Sequence, residues 1–254
     1  MNFVQILILV MAFVLSLLPP LLIFFWLRKR KGDDKEYRTL CNKAFGRGAL
    51  WCPACLLVLI IVGYGIELGM IKLNVNSIIV ALYHNFIVAA LLEELIKYAG
   101  LKRFMKKHPY AYSRLDITTM MMIIGIGFGL LEAVFYAFGM NPVRMLVRGI
   151  MAMHCGYGFI MGYFVAKGMQ TGKKKYTCLG FLIPFLLHGI YDSGVSAELR
   201  QISEAFSLAS VLLALFGLVT LILAIVHVNK AKKKPEFTTP IFPVDPQLNA
   251  PLNA

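Results

Sequence analysis

The chain has 254 residues, 59% of them hydrophobic and only 15% charged, against about a quarter charged in ordinary soluble domains. Its net charge of +13 would point to nucleic acid if the basic residues clustered on a soluble face. They lie instead in short blocks between apolar runs, which excludes that partner and points to membrane topology.

A run of roughly 20 apolar residues crosses a bilayer. In chain order the runs predict an all-α, polytopic bundle of seven spans: Phe3–Leu27, Leu50–Met70, Ser77–Leu101, Ile117–Gly139, Pro142–Gly168, Tyr176–Val195 and Ala205–Val228. The first is no cleavable signal, because its basic residues follow the apolar run. Pro19-Pro20 is expected to kink or end that helix. Five cysteines (Cys41, Cys52, Cys55, Cys155 and Cys178) at irregular spacing give no disulfide framework. Cys52-Pro53-Ala54-Cys55 superficially matches a redox motif but opens a span, so helix-end thiols are the expectation.

Positive residues crowd the loops 28–47 and 102–114, the segment 167–175 and the tail 230–234. Only Lys72, Arg144, Arg148 and Arg200 lie near the other side. The positive-inside rule then places the N-terminus outside and the C-terminus in the cytoplasm. The expected organisation is a bundle over residues 1–230, a functional core over 77–196, and a disordered cytoplasmic tail over 231–254, where Pro240, Pro243, Pro246 and Pro251 oppose packing. Gly125-x-Gly127-x-Gly129, inside an apolar span, reads as close helix packing and not as a nucleotide loop.

Ionisable residues inside the spans are the informative feature, since each costs roughly 2.5–3.5 kcal/mol at mid-bilayer on insertion scales. Span three carries Glu93, Glu94 and Lys97, span four Glu132, span five His154, and span six His188 and Asp192. Such residues persist where they face one another or water in the bundle interior. Glu93 and Lys97 stack at i,i+4, as do His188 and Asp192, whose carboxylate can orient the imidazole. Phe128 and Glu132 share a face, and Gly158 and Gly162 lie below His154. Helical rise leaves Glu93 and Glu132 about 10 Å apart in depth; tilt, or a later start of span three near Asn85, would close that gap. Glu67, His84 and His227 are expected to be interfacial, and His108 lies in a basic loop.

Glu93-Glu94-x-x-Lys97, Phe128-x-x-x-Glu132, His154-x-x-x-Gly158 and His188-x-x-x-Asp192 resemble, in order, the motifs of PrsW-type intramembrane proteases, relatives of the CAAX-prenyl protease and bacteriocin-processing superfamily. The resemblance covers roughly Leu91 to Asp192. It implies hydrolysis of membrane-anchored or membrane-associated proteins, anti-sigma-factor-like ones among them, in a bacterial or archaeal cell membrane. Catalytic roles are implied for Glu93, Glu94, Glu132, His154, His188 and Asp192, with Lys97, Phe128 and Gly158 in support.

Peptide hydrolysis needs an activated water, oxyanion stabilisation and a proton donor. Glu93 or Glu94 can serve as base, with His154 and His188 as stabilisers or donors. Zinc held by Glu132, His154 and His188 is one version; a metal-free, glutamate-type pair is the other. A proton- or cation-coupled transporter, or a receptor whose polar residues merely lock helices, would use the same residue types. Oligomeric state is not legible.

Overall fold

The computed structural model describes residues 2–136 and 153–241. Among them are helices, one isolated bridge between Ser113 and Pro240, and no strand. Helix α1 spans Phe3–Arg28, α2 Lys35–Lys72, α3 Ser77–Lys107, α4 Arg114–Tyr136, α5 Met153–Thr171 and α6 Lys174–Val195. A short α7 (Ala197–Ile202) leads into α8 (Glu204–Ala231), and one turn, α9 (Pro235–Thr238), follows. Among the described residues α1, α2, α3, α4, α6 and α8 are long and apolar enough to cross a membrane. The expected fifth span is represented by α5. Its start at Pro142, the end of span four at Gly139, Arg144 and Arg148 lie outside the described residues.

Local chemistry accounts for the helix starts. Asn2 and Gln5 form a reciprocal capping box on α1. Asp34 accepts from the Tyr37 amide at 2.9 Å, and Asn76 accepts from that of Ile78 at 2.8 Å. Pro19-Pro20 does not end α1: both prolines lie inside it. Each removes one backbone donor, whereas ending the helix in lipid would strand several more polar groups.

Helix α2 begins at Lys35 and not at Leu50. Its 38 residues extend for about 57 Å, nearly twice a ~30 Å hydrocarbon core. The early part is amphipathic: Tyr37, Leu40, Cys41, Ala44 and Gly48 are buried at helical spacing. Cys52 and Cys55 therefore sit in mid-helix, buried, instead of at a helix end.

Helix α4 is the centre of the bundle, packed against α2 on one side and α5 on the other. Its glycines permit this. A side chain at Gly127 would strike the backbone carbonyl of Phe45 in α2, and one at Gly125 that of His154 in α5. The packing expectation for this glycine run is met. On α5, Gly158 and Gly162 lie against the α4 backbone at Met121 and Thr118. Helix α6 packs on α5, α8 and the middle of α3.

Contacts gather the basic segments at one end. Arg30 and Lys31 pair with buried Asp116, and Lys31 Nζ also donates to Tyr110 Oη at 2.9 Å. Gln170 reaches the Glu236 carbonyl at 3.3 Å. The first part of the tail, through Ile241, packs there. Phe237 lies beneath the Arg114 guanidinium at 4.5 Å, and the Ile241 amide donates to the Tyr112 carbonyl at 2.9 Å. An aromatic anchor and a paired amide offset the ordering cost that a proline-rich composition alone could not. Pro243, Pro246 and Pro251 lie outside the described residues.

Candidate active site

The site is built on an irregular stretch of α3. Residues Tyr83–Leu91 form a π-helical segment, in which i→i+5 bonding widens the turn, and the α-helix resumes at Leu92. A second π segment, Leu59–Gly63 in α2, lies opposite, with Gly63 against the Val88 side chain. Glu93, Glu94 and Lys97 follow directly, all buried. The depth gap expected between Glu93 and Glu132 is closed: both line one cavity, and His154 connects their surroundings. Its Nε2 lies 2.5 Å from Glu132 Oε2, and its Nδ1 lies 2.9 Å from Lys97 Nζ.

Lys97 is the hub. Its ammonium donates to Glu94 Oε1 at 2.8 Å and Glu93 Oε2 at 3.1 Å, and lies 4.3 Å above the Phe128 ring. Three acceptors and an aromatic face compensate a charge that is 1% exposed. His188 is held from both sides: Nδ1 is 3.0 Å from Glu94 Oε1, and Nε2 is 3.3 Å from Asp192 Oδ2. Nε2 is also 4.0 Å from Glu93 Oε2, so it faces the gap between Glu93 and Asp192. Tyr157 stacks on this imidazole, with centroids 5.3 Å apart. The structure thus joins all six residues expected to be catalytic, with Lys97 and Phe128 among them and Gly158 one layer below, where it lets α5 approach α4.

A cavity of about 1150 Å³ leads to this cluster. Glu93, Glu132 and Asp192 line its inner part, while Glu94 and both histidines stand behind them. The cavity continues past Asn85 and His84 to Asn74 and Ser77, at the opposite end of α3 from the basic loops. Glu67 and His84, expected as separate interfacial residues, are paired at 2.9 Å in its wall.

Glu93, Glu94 and His154 each offer a ligand atom within 4.8 Å of the other two. Lys97 Nζ is within hydrogen-bond reach of all three, so an ammonium already satisfies acceptors that a metal cation would use. Glu94 Oε2 is buried and has no hydrogen-bond partner among the described residues, which leaves a carboxylate oxygen for a ligand. Two carboxylates and an imidazole are donors that suit zinc. By donor type and spacing these three fit a divalent ion once the Lys97 ammonium gives up its place among them; of the expected Glu132, His154 and His188, His154 belongs to this trio. Glu132 is engaged with His154 Nε2, and His188 is bracketed by Glu94 and Asp192.

Residues 37–226 match the family described as PrsW family intramembrane metalloprotease. The chain belongs to this family. It is similar to the protein named Protease PrsW of Clostridioides difficile (strain 630), 29% identical over 199 residues that cover 74% of this chain and 80% of the relative. A protein of the same name from Oceanobacillus iheyensis is 28% identical over 166 residues, covering 64% and 72%. One from Geobacillus kaustophilus is 31% identical over 111 residues, covering 42% and 49%. No solved structure matches. Membership in the PrsW family supports intramembrane proteolysis and leaves the transporter reading without support.

Four residues at or beside the site were not singled out as site residues in the sequence of this PrsW-family chain. Tyr157 lies three residues after His154, on the same helical face, and that spacing could have found it. Cys52 and Cys55 face the cavity, but their place became visible only once α2 was extended to Lys35. Asn85 carried the weakest signal, a single amide in an apolar run.

Proposed function

We propose that the chain hydrolyses peptide bonds of membrane-anchored or membrane-associated proteins at the inner end of this cavity, with Glu93 as general base. One observation carries the assignment: of the adjacent glutamates, Glu93 lines the cavity beside Glu132 and Asp192, whereas Glu94 is fully buried between Lys97 and His188. A base must reach the water it activates. Glu93 can take that proton and return it to the leaving amine. His188 Nε2, turned toward the same gap, can donate to the developing oxyanion. Glu94 and Asp192 hold its ring, and Glu132 holds that of His154.

A divalent ion, zinc by preference, would be held by Glu94 and His154 of the Glu93, Glu94 and His154 trio, which leaves Glu93 as the base. When bound it would polarise the scissile carbonyl and make water more acidic. The metal-assisted mechanism is favoured over a glutamate-only one by the family description and by the free oxygen of Glu94. Anti-sigma-factor-like single-span proteins are the substrate class to try first, in a bacterial or archaeal cytoplasmic membrane.

The test uses purified, reconstituted protein and a panel of single-span substrates, with and without chelator. Glu93→Gln is expected to lower kcat about 10²–10⁴-fold, the range for loss of a general base, in protein that still folds. Chelation should stop cleavage and added zinc restore it. Full activity in Glu93→Gln would remove the base assignment. Full activity after exhaustive chelation, with no metal detected, would remove the metal.

A further inference from the structure

Asn85, in the π segment of α3, is a buried polar residue that the chemistry above does not use. It is 6% exposed, lines the cavity, and its Nδ2 has no hydrogen-bond partner among the described residues. Buried amide donors are nearly always paired, so an unpaired donor on a residue that lines a cavity is one that a ligand can complete.

The cavity indicates which ligand. Its volume of about 1150 Å³ exceeds the roughly 300–1,000 Å³ common for small-molecule pockets, and its inner end holds the groups for peptide hydrolysis. A helical substrate must unwind there before a base can reach its carbonyl carbon. Within a membrane, each carbonyl so released needs a new donor. Asn85 precedes Glu93 by eight residues, at most about 12 Å along the helix axis. An extended peptide covers that distance in three or four residues at about 3.3 Å each.

We propose that Asn85 is a substrate-binding residue, whose side-chain amide donates to a backbone carbonyl of the unwound peptide three to four residues from the scissile bond. The proposal rests on the proteolytic reading above and adds a subsite to it. Because the contact is to backbone, it recognises an extended segment without selecting a side chain. It lies away from the reacting atoms, so Asn85 contributes to binding and positioning and is not a catalytic residue.

Full-length protein, wild type and with Asn85→Ala or Asn85→Asp, would be assayed on long single-span substrates. Companion substrates would be truncated, on either side, beyond the second residue from the scissile bond. On long substrates Asn85→Ala should raise KM about 3- to 10-fold, the worth of one neutral hydrogen bond, with kcat near wild type. Asn85→Asp, similar in shape but an acceptor when ionised, should be worse. Truncation on one side should erase the difference between wild type and Asn85→Ala. Equal losses on long and truncated substrates, or a lowered unfolding temperature that accounts for them, would make Asn85 structural and overturn the subsite. Unchanged KM on long substrates would overturn it too, while leaving the protease reading intact. Failure of the wild type to cleave any substrate would overturn both.

Discussion

His154 is placed by what its neighbours lack as much as by what they offer. Gly129 faces its ring, and a Cβ there would lie 2.6 Å from His154 Cδ2, well inside contact distance. The imidazole would have to turn, loosening the contacts of Nε2 with Glu132 and Nδ1 with Lys97. Gly129→Ala is therefore expected to cut kcat roughly 10²-fold, the cost of misplacing a catalytic group by about 1 Å, with little change in unfolding temperature. Steady-state kinetics beside thermal unfolding in detergent checks this; unchanged kcat would show that the ring position is unimportant. Gly158→Ala is the contrasting case, because its Cβ would meet the Met121 backbone carbonyl at 2.7 Å. A main chain cannot turn aside, so that change should cost stability first. At this scale the sequence was informative where partners share a helix: the i,i+4 pairs Glu93–Lys97 and His188–Asp192 both form. The contact of His154 with Lys97 spans 57 residues, and no local spacing announces it.

Among the elements, α3 departs most from a regular reading. A straight helix left Glu93 and Glu132 at different depths; the π segment before Leu92 changes both rise and facing, and brings the acidic pair to the cavity. Nothing in Tyr83–Leu91 is a π signature by composition, since the widening is set by packing against α2 and α6. The same limit hid the junction of α1 and α4. Arg30 and Lys31 look like orientation signals in sequence, yet both pair with Asp116, whose side chain is fully buried and also accepts from the Ser113 amide and hydroxyl. Asp116→Asn would leave the Arg30 side chain, 5% exposed, without its ionic partner. A loss of about 3–5 kcal/mol is expected, as for breaking one half of a buried pair, with catalysis at permissive temperature retained. Replacing both Arg30 and Asp116 by leucine should recover much of that loss, because the buried guanidinium is removed with its partner, while Lys31, whose side chain is 30% exposed, keeps Tyr110 and water. Denaturant unfolding of the single and double variants measures this. A double variant no better than Asp116→Asn would show that the pair does not act as a unit.

For the whole molecule, the bundle has two chemically different ends. The α1–α2 and α4 junction, the end of α5 and the tail meet at the basic end. The cavity reaches Asn74 and Ser77 at the other. Because α3 runs from Ser77 to Lys107, its length separates these regions. If the basic end faces the cytoplasm, as the positive-inside rule requires, water and substrate enter from the outside. This follows from joining a charge bias in the sequence to a cavity visible only in the structure. Cysteines introduced one at a time at Asn74 and Lys175, in a background with the cavity-lining Cys52 and Cys55 changed to alanine and the exposed Cys178 to serine, can be exposed to a membrane-impermeant maleimide. Asn74→Cys should label in intact cells, and Lys175→Cys only after permeabilisation. A third position, Val80→Cys in the cavity wall, should also label from outside and lose activity as it does, since the adduct fills the route to Glu93. Labelling of Lys175→Cys in intact cells with Asn74→Cys protected would invert the orientation. Labelling of Val80→Cys with activity intact would mean that substrate reaches Glu93 by another path, such as laterally between α2 and α3.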